Sequence, residues 1–112
     1  MADDEELAGR LRDLVAEAGH EVTERRMFGG LAFMVAGSMA VAVSGQGGIM
    51  VRVEPDEVDH LLATTPATQM EMRGRPMTGW VRVAAEHLTT DDELEPWVRR
   101  GTARALAVAD GA

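Results

Sequence analysis

Few side chains in this sequence can make or break covalent bonds. There is no cysteine and no tyrosine, and all 11 basic residues are arginine, so thiolate, phenolic and Schiff-base chemistry are excluded. Ser38 and Ser44 are the only serines, and neither stands in the strand–turn–helix pattern that exposes a nucleophile. His20, His60 and His87 lie far apart and outside any metal-ligand spacing, which favours ordinary surface histidines over a metal centre. Gly45-Gln46-Gly47-Gly48 lacks the Lys-Ser/Thr ending of a phosphate loop and reads as a turn between two strands. What remains is recognition of anions, since arginine forks match carboxylate and phosphate. Arg73 and Arg75 flank Gly74, and with Arg25 they form a candidate anion contact, set against the simpler reading of solvated loop charges. These residues predict a protein that is not an enzyme and needs neither cofactor nor metal.

The elements that would carry such groups follow from apolar spacing. Leu7, Leu11, Leu14, Val15 and Ala18 recur at helical intervals over Asp3 to Gly19. Strand patterns follow at Glu21 to Phe28, Leu31 to Ala36, Met39 to Ser44 and Ile49 to Val53, with breaks short enough for hairpins. Pro55 opens a short helix to Thr64, and Thr68 to Arg73 and Gly79 to Ala84 read as two more strands. Thr90-Asp91-Asp92-Glu93 is a capping-box pattern before a helix over 91–109, in which Pro96 predicts a kink or a late start. Gly29-Gly30 suggests a turn needing positive φ or a close chain approach.

Side chains alternate faces along a strand. Leu31/Phe33/Val35, Met39/Val41/Val43, Ile49/Val51/Val53 and Val81/Val83 form the core set. The opposite set is Ala32, Met34, Ala36, Ala40, Ala42, Ser44, Met50, Arg52, Glu71, Arg73, Trp80 and Arg82. Three helices in a chain this short cover one face of a sheet, which leaves a mixed Met, Ala, Trp and Arg face of the composition found at protein interfaces. Met34, Met50, Arg52, Trp80 and Arg82 are therefore candidate interface residues, with a homodimer or another protein partner expected. The simpler alternative is that a helix or loop covers them.

A length of 112 residues, 46% hydrophobic and 27% charged, fits one domain spanning 1–112. No apolar run approaches the roughly 20 residues of a membrane helix. The acidic start, Met1-Ala2-Asp3-Asp4-Glu5-Glu6, is unlike a secretory signal, and with no cysteine a cytoplasmic setting is expected. The net charge of −8 argues against direct nucleic-acid binding, as does having only Trp80 and Trp97 for base stacking.

Arg25-Arg26-Met27-Phe28-Gly29-Gly30-Leu31-Ala32-Phe33, followed by Met39 to Ser44 and Ile49 to Val53, resembles the opening of the TfoX/Sxy N-terminal domain. Met72 to Trp80 and Glu93 to Arg100 are similar to later segments of that family, so the resemblance spans nearly the whole chain. Its most specific part is Arg25, Met27, Phe28, Gly29 and Gly30. The resemblance implies an α-β(3–4)-α-β(2)-α fold like that of secretion chaperones: α+β, two layers, an antiparallel sheet with helices on one face. It further implies a link to competence-gene regulation and no known catalytic residues. Longer members carry a second, helical domain that these 112 residues do not include. The leading expectation is a non-catalytic interaction module. The alternative is a small-molecule or anion-binding domain using Arg25, Arg73, Arg75 and Arg82.

Overall fold

A computed structural model describes residues 2–17, 19, 21–27, 30–44, 47–72 and 74–109. Helix α1 (Ala2–Glu17) leads into strands β1 (Val22–Met27), β2 (Gly30–Val35), β3 (Ser38–Val43) and β4 (Ile49–Arg52). A 3-10 turn at Pro55–Glu57 opens α2 (Val58–Thr64), then β5 (Thr68–Met72), β6 (Arg75–Val83), a second 3-10 turn at Ala85–His87, and α3 (Asp91–Ala109). The strands form one sheet in the order β1-β2-β3-β4-β6-β5, every neighbouring pair antiparallel. This is an α+β fold of two layers. Gly29 and Phe28 lie outside the described residues, while Gly30 opens β2 opposite Met27.

Ala36 and Gly37 join β2 to β3 with φ of 53° and 83°, the left-handed pair that a two-residue hairpin turn requires. The main core packs Leu7, Leu11 and Val15 of α1, Val58 and Leu61 of α2, and Leu94, Trp97, Val98 and Ala105 of α3 against Phe33, Val35, Val41, Val43, Val51, Val81 and Val83 of the sheet. All three helices therefore cover the same face. Ion pairs fasten them: Arg12 grips Glu24 of β1 through both oxygens (2.6 and 2.8 Å), and Arg10 reaches Asp91 Oδ1 (3.1 Å) and the Leu88 carbonyl (2.7 Å).

The two-residue period fails in two places, first in β3. Phe33 pairs with Val41, but Met34 pairs with Met39, so β3 carries one extra residue, Ala40. This bulge turns Ala40 to the helices and Met39 to the other face, the reverse of the alternation expected from sequence. Beyond Gln69 the β5–β6 register slips again. Met70 is buried with the methionines of the second face, so alternation turns Glu71 away from the face the sequence had given it. Strand β6 also starts at Arg75 rather than Gly79 and bends at Gly79, whose φ is 83°.

Pro96 does not delay α3, which runs unbroken from Asp91. The bond it forgoes is to the carbonyl of exposed Asp92, where water can serve instead, and the turn before it is locked by side chains. The Thr90 hydroxyl accepts from Glu93 N (3.2 Å), while Glu93 Oε1 accepts from Thr89 N (3.0 Å), Thr89 Oγ1 (2.8 Å) and Thr90 N (3.1 Å). Thr90→Ala is expected to cost about 1 kcal/mol, typical of a lost N-cap. In thermal melting that is a fall of roughly 4–8 °C; an unchanged midpoint would mean the cap is idle. The bonds from the Thr89 hydroxyl and the Thr90 amide hold the Glu93 carboxyl below its ordinary range, and the Arg12 fork does the same for Glu24. Both acids ionise more readily folded than unfolded. Their contribution is complete above the ordinary carboxylate range and is lost as pH falls through the folded-state values.

Candidate interaction face

Cross-strand partners share a face. One row runs Arg25, Ala32, Ala42, Met50, Arg82, Thr68 from one edge of the sheet to the other. Another joins Thr23, Met34 and Met39, and Arg52 stands opposite Trp80. On this face, away from the helices, Ala32, Met39, Ala42, Met50 and Met70 form a second buried cluster, with Met34, Met77 and Trp80 packed half-buried against it. Strands alone supply it. Small alanines lie beneath flexible methionines, which fill irregular gaps without a helix above them.

The burial corrects one expectation. Met34, Met50 and Trp80 do gather on one face, but Met50 is only 3% exposed, shielded by the β5–β6 hairpin that brings in Met70 and Met77. The outer surface is Met34, Met77 and Trp80. Neither Met70 nor Met77 was singled out from sequence, because both sit where the strand register slips. An alternating Met70/Met72 and Met77 in facing strands was the available signal.

The arginines divide by role. The Arg52 guanidinium lies over the Trp80 ring, 5.7 Å from its centroid, a cation–π distance. Arg82 donates from Nη2 to Ser44 Oγ (3.4 Å) and to the Gly47 carbonyl (3.3 Å), so it holds the β3–β4 turn and occupies the buried serine. Gly48 in that turn meets the end of β6 so closely that a Cβ there would lie 2.2 Å from the Val83 carbonyl oxygen. Arg25 and Arg75 are exposed, one on β1 and one on β6, and Arg73 lies outside the described residues. Strands lie about 4.8 Å apart and rise about 3.3 Å per residue; Arg25 stands four strand steps from β6 in the row of Arg82, and Arg75 lies seven residues from Arg82 along β6, so the two are separated by more than roughly 19 Å. The fold does not bring those two together around one small anion.

No catalytic constellation assembles elsewhere among the described residues. Ser38 is half-buried at the start of β3, and His60 and His87 are exposed. No group of three His, Asp or Glu that could hold a metal is found among the described residues. The cleft between α1 and α3 is lined by Leu14, Val98, Thr102 and Leu106, with Glu17, Glu95 and Arg99 beside them and Arg99 paired to Glu95. No described helix is long and apolar enough to cross a membrane.

A six-stranded antiparallel sheet with helices on one face and a strand-built apolar cluster on the other defines an open α+β sandwich half. The model of the TfoX N-terminal domain family matches residues 13–105. The chain belongs to that family, a non-enzymatic one of regulatory, competence-type domains. Of its motif, Arg25, Met27 and Gly30 sit where β1 turns into β2, and Phe28 and Gly29 fall outside the described residues. No curated relative matches the chain.

Proposed function

We propose that this domain is a regulatory interaction module of the cytoplasm that binds a protein partner through the methionine face and performs no catalysis. The observation that carries this reading is the second apolar cluster, built by strands with no described helix packed on it, whose outer members Met34, Met77 and Trp80 remain half-buried. Methionine, tryptophan and arginine are the residues enriched where proteins meet, and a flexible thioether surface adapts to a partner's shape. A helix on the far side leaves this face free to be the working one.

The test is a charge at the rim of the cluster. Met34→Glu should leave the domain folded, with the midpoint lowered by roughly 4–8 °C or somewhat more, since Met34 is half-buried, and should abolish association measured by sedimentation and by titration with a binding peptide. Met50→Glu is unsuitable for this purpose, because at 3% exposure it would strike the fold itself. A Met34→Glu protein that associates as the wild type does would refute the assignment of the face.

A further inference from the structure

The ion pairs of this protein lie on one side. On the helix side Arg10, Arg12, Arg99 and Arg104 are paired with Asp91, Glu24, Glu95 and Glu54, while Arg26 and Arg100 have no ion pair among the described residues, Arg100 lying over the Trp97 ring at 5.0 Å. On the methionine face Arg25, Arg52 and Arg75 have no ion pair among the described residues. Register and clustering assign to that face Thr23, Arg25, Ala32, Met34, Met39, Ala42, Met50, Arg52, Thr68, Met70, Arg75, Met77, Trp80 and Arg82. That set holds arginines and no carboxylate, in a chain whose net charge is −8.

We infer that the face is built for an acidic amphipathic segment of another protein, its apolar side seated on Met34, Met77 and Trp80 and its carboxylates met by Arg25, Arg52 and Arg75. This rests on the interaction reading above and names the chemistry of the partner. Complementary charge at a rim around an apolar centre fixes orientation and excludes wrong partners. A second copy docked face to face fits poorly, because an isologous contact meets itself. Wherever the two-fold axis falls, a face whose charges among the described residues are all cations offers its copy no carboxylate. A nucleic-acid strand would also supply anions, yet among the described residues the one aromatic ring on this face, Trp80, is already faced by Arg52, and the centre is methionine and alanine rather than a stacking platform.

The experiment uses the full chain and calorimetric titration with three probes: a synthetic amphipathic helix of leucine and glutamate, its leucine–lysine counterpart, and a thymidine oligonucleotide. The glutamate peptide is expected to bind, more weakly as salt rises. The exposed pair Arg25→Glu/Arg75→Glu should weaken it about tenfold or more while melting as the wild type does, and should gain binding of the lysine peptide. Equal binding of both peptides, insensitivity to the arginine changes, or tighter arginine-dependent binding of the oligonucleotide would each overturn the inference. A wild-type dimer that Met34→Glu dissociates, with no peptide binding, would overturn it while leaving the interaction face intact. Failure of all probes together with a monomeric wild type would overturn both.

Discussion

Replacing Gly101 by alanine should destabilise the domain by roughly 3 kcal/mol, although glycine to alanine inside a bare helix gains about 1 kcal/mol. The reason is the approach of α3 to β3. A Cβ on Gly101 would lie 2.4 Å from the Ala40 carbonyl oxygen and 3.0 Å from its carbon, with Val51 Cγ1 at 3.5 Å. The obstacle is backbone, fixed in the sheet at the bulge, and cannot swing aside as a side-chain tip can. Alanine would have to lift α3 from the sheet and loosen Trp97, Val98 and Ala105, which flank Gly101 on the buried side. The matched control is Gly9 in α1, where a Cβ would meet nothing within 4 Å. Gly9→Ala should therefore stabilise by up to about 1 kcal/mol. Thermal melting decides between them: a fall of more than about 10 °C is expected for Gly101→Ala. A rise like that of Gly9→Ala would mean that α3 does not sit so close.

Phe33→Ala and Met34→Ala should part company, though the residues are adjacent in β2. Phe33 is fully buried at 0% exposure among the helices and the valines of β3 and β4, and removing its ring leaves a cavity that this two-layer core cannot collapse to fill. A loss of about 4 kcal/mol is expected, a large part of the roughly 5–15 kcal/mol that holds a domain together. Met34 faces the strand-built cluster half-buried, and its loss should cost about 1 kcal/mol. Urea unfolding measures both. Similar losses for the two would show the methionine face to be as enclosed as the main core, leaving it no surface for a partner.

Much of this architecture was legible in the amino acids. Helix α1 announced itself through Leu7, Leu11 and Val15, the hairpin turns through glycines, and the start of α3 through the Thr90 and Glu93 box. The valine sets of β3, β4 and β6 were placed on the correct face because alternation is a property of any regular strand. Where the reading failed, a local irregularity was the cause. Ala40 and Met39 exchanged faces through a bulge that apolar small residues do not signal. Met70 and Met77 entered the second cluster through a register slip at a hairpin that sequence treats as two plain strands. Pro96 counted against an early helix start by its own preference, and the capping side chains outweighed it. Gly101 stood on the apolar stripe with Trp97, Val98 and Ala105, a position where a glycine inside a helix usually marks close packing. Arg82, a candidate interface residue by sequence, also holds the β3–β4 turn, a partner distant in sequence that alternation alone does not reveal.

The strand order contains one neighbour pair that breaks sequence order, β4 beside β6. All other pairings close short hairpins, whereas this one joins Ile49 to Val83 across the whole of α2 and β5. Closing a longer loop costs more chain entropy before any contact repays it. The first four strands and the β5–β6 hairpin are thus two locally encoded pieces, and the seam between them is expected to close late in folding. Val51 and Val81, paired and fully buried in the native sheet, lie on either side of that seam. A chain delayed there presents two unfinished sheet edges, and a neighbouring chain in the same state can supply the missing strand of each.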